Sequence, residues 1–138
     1  MDVRYLMVDG NNLLYRAHFA TTLNDKKGRP VSGTMGVMRM TRKLISRFRP
    51  QRTIIAWDEG KSKERLQLYP EYKANRAARD PVMKENIVRQ MKDCQRMFYN
   101  LPVRQVLVNG IEADDIIGIL CEKLKGRKVI LSNDQDFV

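Results

Sequence analysis

Three short apolar runs punctuate the chain: Tyr5-Leu-Met-Val8, Thr53-Ile-Ile-Ala-Trp57 and Val129-Ile-Leu131. Each is continuous rather than alternating and ends in a turn carrying an acid or an Asn or Gly, the pattern of a strand buried on both faces of a parallel sheet. A fourth run, Val103 to Val108, fits the same description. Between the first two runs, Val37, Met40, Thr41, Leu44, Ile45 and Phe48 recur at helical spacing, and Arg49-Pro50 stops them. Ile87, Met91, Cys94, Phe98 and Leu101 make a second amphipathic stripe, ended by Asn100 and Pro102. Ala113, Ile116, Ile117, Leu120 and Leu124 make a third, followed by Gly126 and the last strand. Strands alternating with helices predict an α/β fold with a mainly parallel central sheet flanked by helices. The charged stretch from Glu59 to Asp80 does not fit this alternation and reads as an exposed excursion.

At 138 residues with 43% hydrophobic positions, the chain has the size and apolar content of one domain with its own core. Twenty-six Lys and Arg against 16 Asp and Glu give a formal charge of +10, which favours a polyanionic partner. Cys94 and Cys121 lie far apart without metal-ligand spacing, so neither a disulfide framework nor a zinc site is indicated, and a reducing setting is expected. No run approaches the ~20 apolar residues of a membrane span. Met1-Asp2-Val3-Arg4 leads into a strand rather than a signal peptide, so a soluble, unexported protein is expected.

The acids change the picture. Asp9 and Asp58 each stand just past the carboxyl end of a predicted strand, and in an open parallel sheet those ends share the edge where ligands bind. The Val129-Leu131 strand delivers Asp134 and Asp136 to the same edge. After the Asn109-Gly110 turn, a helix opens with Glu112, Asp114 and Asp115. Glu112 and Asp115, three apart, can share a face, whereas an ideal wheel turns Asp114 away. Seven of the 16 acids thus gather at one edge of a basic protein, a crowding that repels itself unless cations neutralise it. Oxygen-only donors without His or Cys select hard cations such as Mg²⁺, with Mn²⁺ as a substitute. Two such ions can drive hydrolysis of a phosphodiester without a histidine base. One acid at a strand end or helix start is ordinarily a cap; it is the convergence of Asp9, Asp58, Glu112 and Asp134 that points to metal. Asp2, Asp25, Asp80 and Asp93 read as surface residues.

The basic residues fall in two groups. Arg39, Arg42, Lys43, Arg47, Arg49 and Arg52 occupy a stretch with no acid, mostly on the polar side of the first amphipathic helix, which suits phosphate contact. Lys61, Lys63, Arg65, Lys73, Arg76 and Arg79 interleave with Tyr69 and Tyr72 in the excursion, a combination that suits single-stranded nucleic acid because charges track phosphates while rings stack on bases. A flexible charged loop is the bland alternative there. His18 is expected to pack or cap locally, Trp57 to be core, and Met38, Met40, Met91 and Met97 to pack rather than bind a cofactor.

Five motifs occur in order: Val8-Asp9-Gly10-Asn11-Asn12 with Leu14-Tyr-Arg16, Ala56-Trp57-Asp58, Tyr69-Pro-Glu-Tyr72-Lys73-Ala-Asn-Arg76, Gly110-Ile-Glu112-Ala-Asp114-Asp115, and Ser132-Asn-Asp134-Gln-Asp136. The ordered set resembles the 5′ nuclease family, the flap endonucleases and 5′→3′ exonucleases of phages and of bacterial DNA polymerase I. The resemblance implies a PIN-like domain over residues 1–138, with a basic helical arch at about 59–80, acting in the cytoplasm of a bacterial or phage-infected cell. It implies a metal-dependent nuclease with two Mg²⁺ ions that cuts DNA with 5′ single-stranded flaps or ends, or the RNA of RNA-DNA hybrids. Asp9, Asp58, Glu112 and Asp114 match positions that hold the first metal, with Asp115 nearby, and Asp134 and Asp136 match positions between the metals or on the second. Lys73 and Arg76 match arch residues that steer the scissile phosphate; Tyr72, Arg16, Arg42 and Lys43 join them as nucleic-acid contacts. Family members continue with a further acidic pair and a helix-turn-helix element, so the expectation is a catalytic half completed by a missing C-terminal part or a second chain. The alternative is a truncated nucleic-acid-binding module that cuts nothing. A PIN ribonuclease is the third reading, disfavoured by the long basic excursion.

Overall fold

A computed structural model describes residues 2–58 and 81–132. Its elements run β1 (Tyr5–Asp9), α1 (Gly10–Ala20), α2 (Ser32–Phe48), β2 (Arg52–Trp57), α3 (Pro81–Tyr99), β3 (Arg104–Leu107), α4 (Ala113–Lys123) and β4 (Lys128–Leu131). All strand pairs are parallel, in the order β3-β2-β1-β4. The excursion at 59–80 lies outside the described residues, so the expected arch is not part of this fold description.

The continuous apolar runs are buried on both faces, as a central parallel sheet requires. Leu6 and Val8 of β1 join Ile55 and Trp57 of β2 in a core with Leu13, Leu14, Val37, Ile87, Cys94 and Phe98. Tyr5, Met7, Ile54 and Ala56 face the other way, against Ala113, Ile116 and Ile117 of α4. The period-two alternation of strand side chains therefore sorts one sequence run into two cores. The result is three layers, with α1, α2 and α3 on one face and α4 on the other. Full burial of a side chain of Leu or Ile size stabilises by about 1.5–3 kcal/mol.

Among the described residues the hydrophobic pattern finds every strand and three of the four helices, with boundaries that shift. The first stripe begins at Ser32, five residues before Val37, and the second begins at Pro81 and ends at Tyr99. Helix α1 is the element the pattern misses. Gly10, Asn11 and Asn12 are poor helix formers, and the helix forms because Asp9, in extended conformation, caps it by accepting from the Asn12 N–H at 3.0 Å. Helix α2 has no local side-chain cap; Gln90 of α3, fully buried, supplies one by accepting from the Gly33 and Thr34 N–H groups at 2.8 and 3.2 Å. That glutamine also ties α3 to α1, its Nε2 lying 3.0 Å from His18 Nδ1.

Trp57 is core, 1% exposed, with its Nε1–H donating to Gln105 Oε1 at 2.8 Å. Met38, Met40 and Met91 pack against the first core, while Met97 is exposed and serves no packing role there. Both cysteines are free thiols. No helix among the described residues is long and apolar enough to cross a membrane.

Candidate functional site: a carboxylate edge

The chain passes from β1 to β2 and β3 on one side of the sheet, then crosses to place β4 on the other side of β1. Helices leave the carboxyl end of the sheet for opposite faces around that crossing, which opens a crevice at the ends of β1 and β4. Asp9 is the last residue of β1, level with Ala56, and Asp58 follows β2. Val8 is level with Leu131, so β4 ends at the same edge. Asp134 and Asp136 follow it in sequence but lie outside the described residues, as do Tyr72, Lys73 and Arg76.

Asp9 and Asp58 are 1% and 4% exposed. Burying a carboxylate is costly unless hydrogen bonds meet it, and both meet backbone N–H groups at helix starts. Asp9 takes that of Asn12 at the head of α1. Asp58 Oδ2 accepts from Ala113 N at 3.1 Å, so a side chain 55 residues away in sequence caps the first turn of α4. The positive end of the helix dipole favours negative charge there.

With Asp58 in the capping role, Glu112 stands at the N-cap position of α4 in extended backbone and makes no side-chain cap hydrogen bond. Its carboxylate joins those of Asp114 and Asp115, one oxygen of each lying within 4.8 Å of the others. The expectation that Asp114 turns away is thereby corrected. Glu112 precedes the helix proper, so wheel spacing does not govern the trio, and the Asp114 carboxylate folds back to accept from the Asp115 N–H at 3.0 Å. Glu112 and Asp114 are half-buried and Asp115 is exposed. Three carboxylates so close are suited to a hard divalent cation by donor type and by the charge they need balanced.

Sequence reasoning passes over the residue that fixes this arrangement. Asn11 is 2% exposed; its Oδ1 accepts from the Asp58 N–H at 2.9 Å and its Nδ2 donates to the Asp58 carbonyl at 3.2 Å. This two-point clamp ties the first turn of α1 to the end of β2. The available signal is an asparagine two residues past a strand end, whose amide must find partners once it is buried. Gly10 has a related reason: a Cβ there would lie 2.6–2.8 Å from the Trp57 ring, so α1 reaches this close approach to β2 only with glycine.

The proposed nucleic-acid contacts of the described residues are dispersed. Arg16, Arg42 and Lys43 are all exposed. Gly33 of α2 abuts Leu14 of α1, and Arg42 stands nine residues further on, about 14 Å along the helix axis at 1.5 Å per residue. Since α2 leads into the start of β2, Arg42 and Lys43 point the chain's charge toward the opposite end of the sheet from the acids. His18 packs as expected: it is half-buried, meets Phe19 edge-on at 4.8 Å, and has its pKa lowered by burial and then by the Arg89 charge.

Fold and site together define a doubly wound α/β domain with a carboxylate-lined strand edge. Residues 4–138 match the model of the 5′-3′ exonuclease N-terminal resolvase-like domain, and the chain belongs to that family. It is 30% identical over 142 residues to a 5′-3′ exonuclease of Bacillus subtilis, covering 98% of this chain and 47% of the relative. It is 34% identical over 137 residues to a 5′-3′ exonuclease of Aquifex aeolicus, covering 96% and 46%. The chain thus spans about half the length of these curated relatives. In structure it is similar to the phage T5 D15 protein co-crystallized with metal ions, with a TM-score of 0.63 and 24% identity over 97% of this chain and 49% of that one. The T5 D15 flap endonuclease in a pseudo-enzyme-product complex with DNA and metal ions gives a TM-score of 0.63 at 23% identity, over 97% and 50%.

Proposed function

We propose that this chain is the N-terminal catalytic part of a divalent-metal-dependent, structure-specific 5′ nuclease. The observation that carries the reading is the convergence of Asp58 on the head of α4, where Glu112, Asp114 and Asp115 crowd within 4.8 Å. Asp9, Asp58, Glu112 and Asp114, with Asp115 beside them, hold the first of two Mg²⁺ ions in this reading, and Asp134 and Asp136 serve the second; Mn²⁺ substitutes. Bound there, the ions supply Lewis-acid polarisation of the phosphodiester and lower the pKa of the attacking water. The buried pair Asp9 and Asp58 fixes the geometry through its backbone hydrogen bonds, and the more exposed trio leaves room for substrate.

The substrate class is DNA with a 5′ single-stranded flap or end, with the RNA of RNA-DNA hybrids as a second substrate of the same chemistry. Tyr72, Lys73 and Arg76, in an arch at about 59–80, guide the single strand and scissile phosphate, while Arg16, Arg42 and Lys43 meet phosphates further away. Support comes from family membership and from the DNA and metal ions bound by the T5 flap endonuclease of similar fold. A C-terminal part, in the same or a second chain, completes duplex binding. Incision of a labelled 5′-flap substrate with Mg²⁺ tests the reading. Cleavage abolished by chelator and by Asp9→Ala or Asp134→Ala is expected; cleavage indifferent to all three overturns it.

A further inference from the structure

The amino ends of the strands carry a feature that the carboxylate edge does not explain. Lys128 and Arg52 are level with Tyr5 on either side of β1, Arg104 opens β3, and Arg4 immediately precedes β1. Backbone hydrogen bonds lock these starts side by side: the Arg4 N–H donates to the Arg127 carbonyl at 2.9 Å, and the Arg52 N–H donates to the Arg4 carbonyl at 2.9 Å. A cation therefore stands at the start of β2 and β4 and directly before β1, while Arg104 of β3, level with Ile54, is set two residues further toward the carboxyl end. Like charges on neighbouring strands destabilise a sheet, and the helix C-termini that lead into β2 and β4 favour cations only within their last turn.

Two local irregularities seat these cations. Gly126 has φ +120°, and a Cβ there would lie 2.6 Å from Arg4 Cδ, so a glycine makes room for the arginine stem. Arg49 ends α2 with φ 45°, a left-handed position that glycine usually fills at a helix end. An arginine held there, exposed, brings one more charge to this end of the molecule. Arg4, Arg52, Arg104 and Arg127 are likewise exposed.

We infer that the amino edge of the sheet is a second nucleic-acid contact, a docking row for the phosphate backbone of duplex DNA separate from the carboxylate edge. Strands spaced by about 4.8 Å set one cation at each of the neighbouring starts of β2, β1 and β4 over about 10 Å of edge, against one phosphate per about 3.4 Å of rise on each DNA strand. A rigid, regularly charged polymer matches a row fixed by backbone hydrogen bonds. The five steps from Arg4 to Asp9 put the two edges about 16 Å apart, so DNA on this row does not reach the acids directly. The inference does not depend on the metal reading.

The test is fluorescence anisotropy of a blunt labelled duplex with the purified chain in chelator, across a salt series. Arg4→Gln, Arg52→Gln and Lys128→Gln together are compared with Lys26→Gln, Lys27→Gln and Lys84→Gln, an equal charge change on exposed residues elsewhere. Removing one cation that pairs with a phosphate reduces the slope of log K against log salt by about 1. The edge triple is expected to flatten the slope by about 2 to 3 and the control triple by less than about 1, with unchanged melting temperature for both. Equal flattening by the two triples, no flattening by the edge triple, or equally effective competition by polyglutamate overturns the docking row. Because chelator silences incision, failure here and failure of the nuclease reading are read in separate assays.

Discussion

Two groups of acids reach the same edge by opposite means. Asp9 and Asp58 are buried and bonded to backbone N–H groups, each serving as the cap of a helix start. Glu112, Asp114 and Asp115 belong to the head of one helix and stand half-buried to exposed. In the first group structure and chemistry are inseparable. In the second the carboxylates crowd for no structural gain, since repulsion offsets the favourable interaction with the helix dipole. Capping and metal binding are therefore not exclusive explanations of an acid at a strand end: in the proposed reading the cap also points the carboxylate at the metal.

The largest expected effect is that of Asp58→Ala. In the proposed reading it removes a metal carboxylate and the cap of α4 together, so incision falls by more than the roughly 10- to 100-fold that loss of an outer partner costs at metal sites. Stability falls by about 1 kcal/mol from the cap alone, read by urea denaturation. Asp114→Asn separates the two functions: the same assay shows a large loss of incision at limiting metal, while stability stays within about 0.5 kcal/mol of the parent. A stability loss as large as that of Asp58→Ala would erase the distinction between the groups.

Asn11→Ala sharpens it from the supporting side. Removing the clamp leaves the buried Asp58 N–H and carbonyl without their amide partner, at about 1–3 kcal/mol per unsatisfied group, and lets the carboxylate move, so both melting temperature and metal-limited incision fall.

Acid titration gives a smaller effect, away from the edge. The Gln90 oxygen is taken by two N–H groups of α2, so its NH₂ faces His18 Nδ1, which must accept and be unprotonated. Burial, then Arg89, lowers the folded-state pKa of His18 below 6.5. The unfolded chain takes up a proton near that value and the folded chain resists it, so this stability is full above about pH 6.5 and is lost as pH falls below it. Thermal melts are expected to show a decline as pH falls below about 6.5 that flattens in His18→Gln. The smallest effect is a rate: Cys94, its thiol pushed up to about 12 by burial, reacts with iodoacetamide more slowly than Cys121.

Much of this was legible in the sequence because parallel strands declare themselves as unbroken apolar runs and end at acids. Asp9, Asp58 and the α4 trio fall where strand ends and a helix start place them. The clamp was not legible, since Asn11 bonds across 47 residues to backbone atoms that no pattern marks. Helix α1 was hidden for a related reason: Asp9 reads as a ligand or as a cap, and the fold shows the cap, which starts a helix on residues of poor helix propensity. The caps from Asp58 and Gln90 are likewise tertiary, recorded at no local spacing.

The central claim is that acids from separate strands and one helix start hold a divalent cation jointly. Mn²⁺ titration followed by electron paramagnetic resonance, on the parent chain, Asp58→Asn and Asp114→Asn, tests it most directly. The account expects measurable Mn²⁺ binding by the parent and at least about tenfold weaker binding by each variant. Parent-like binding by either variant, with the fold intact, would contradict it.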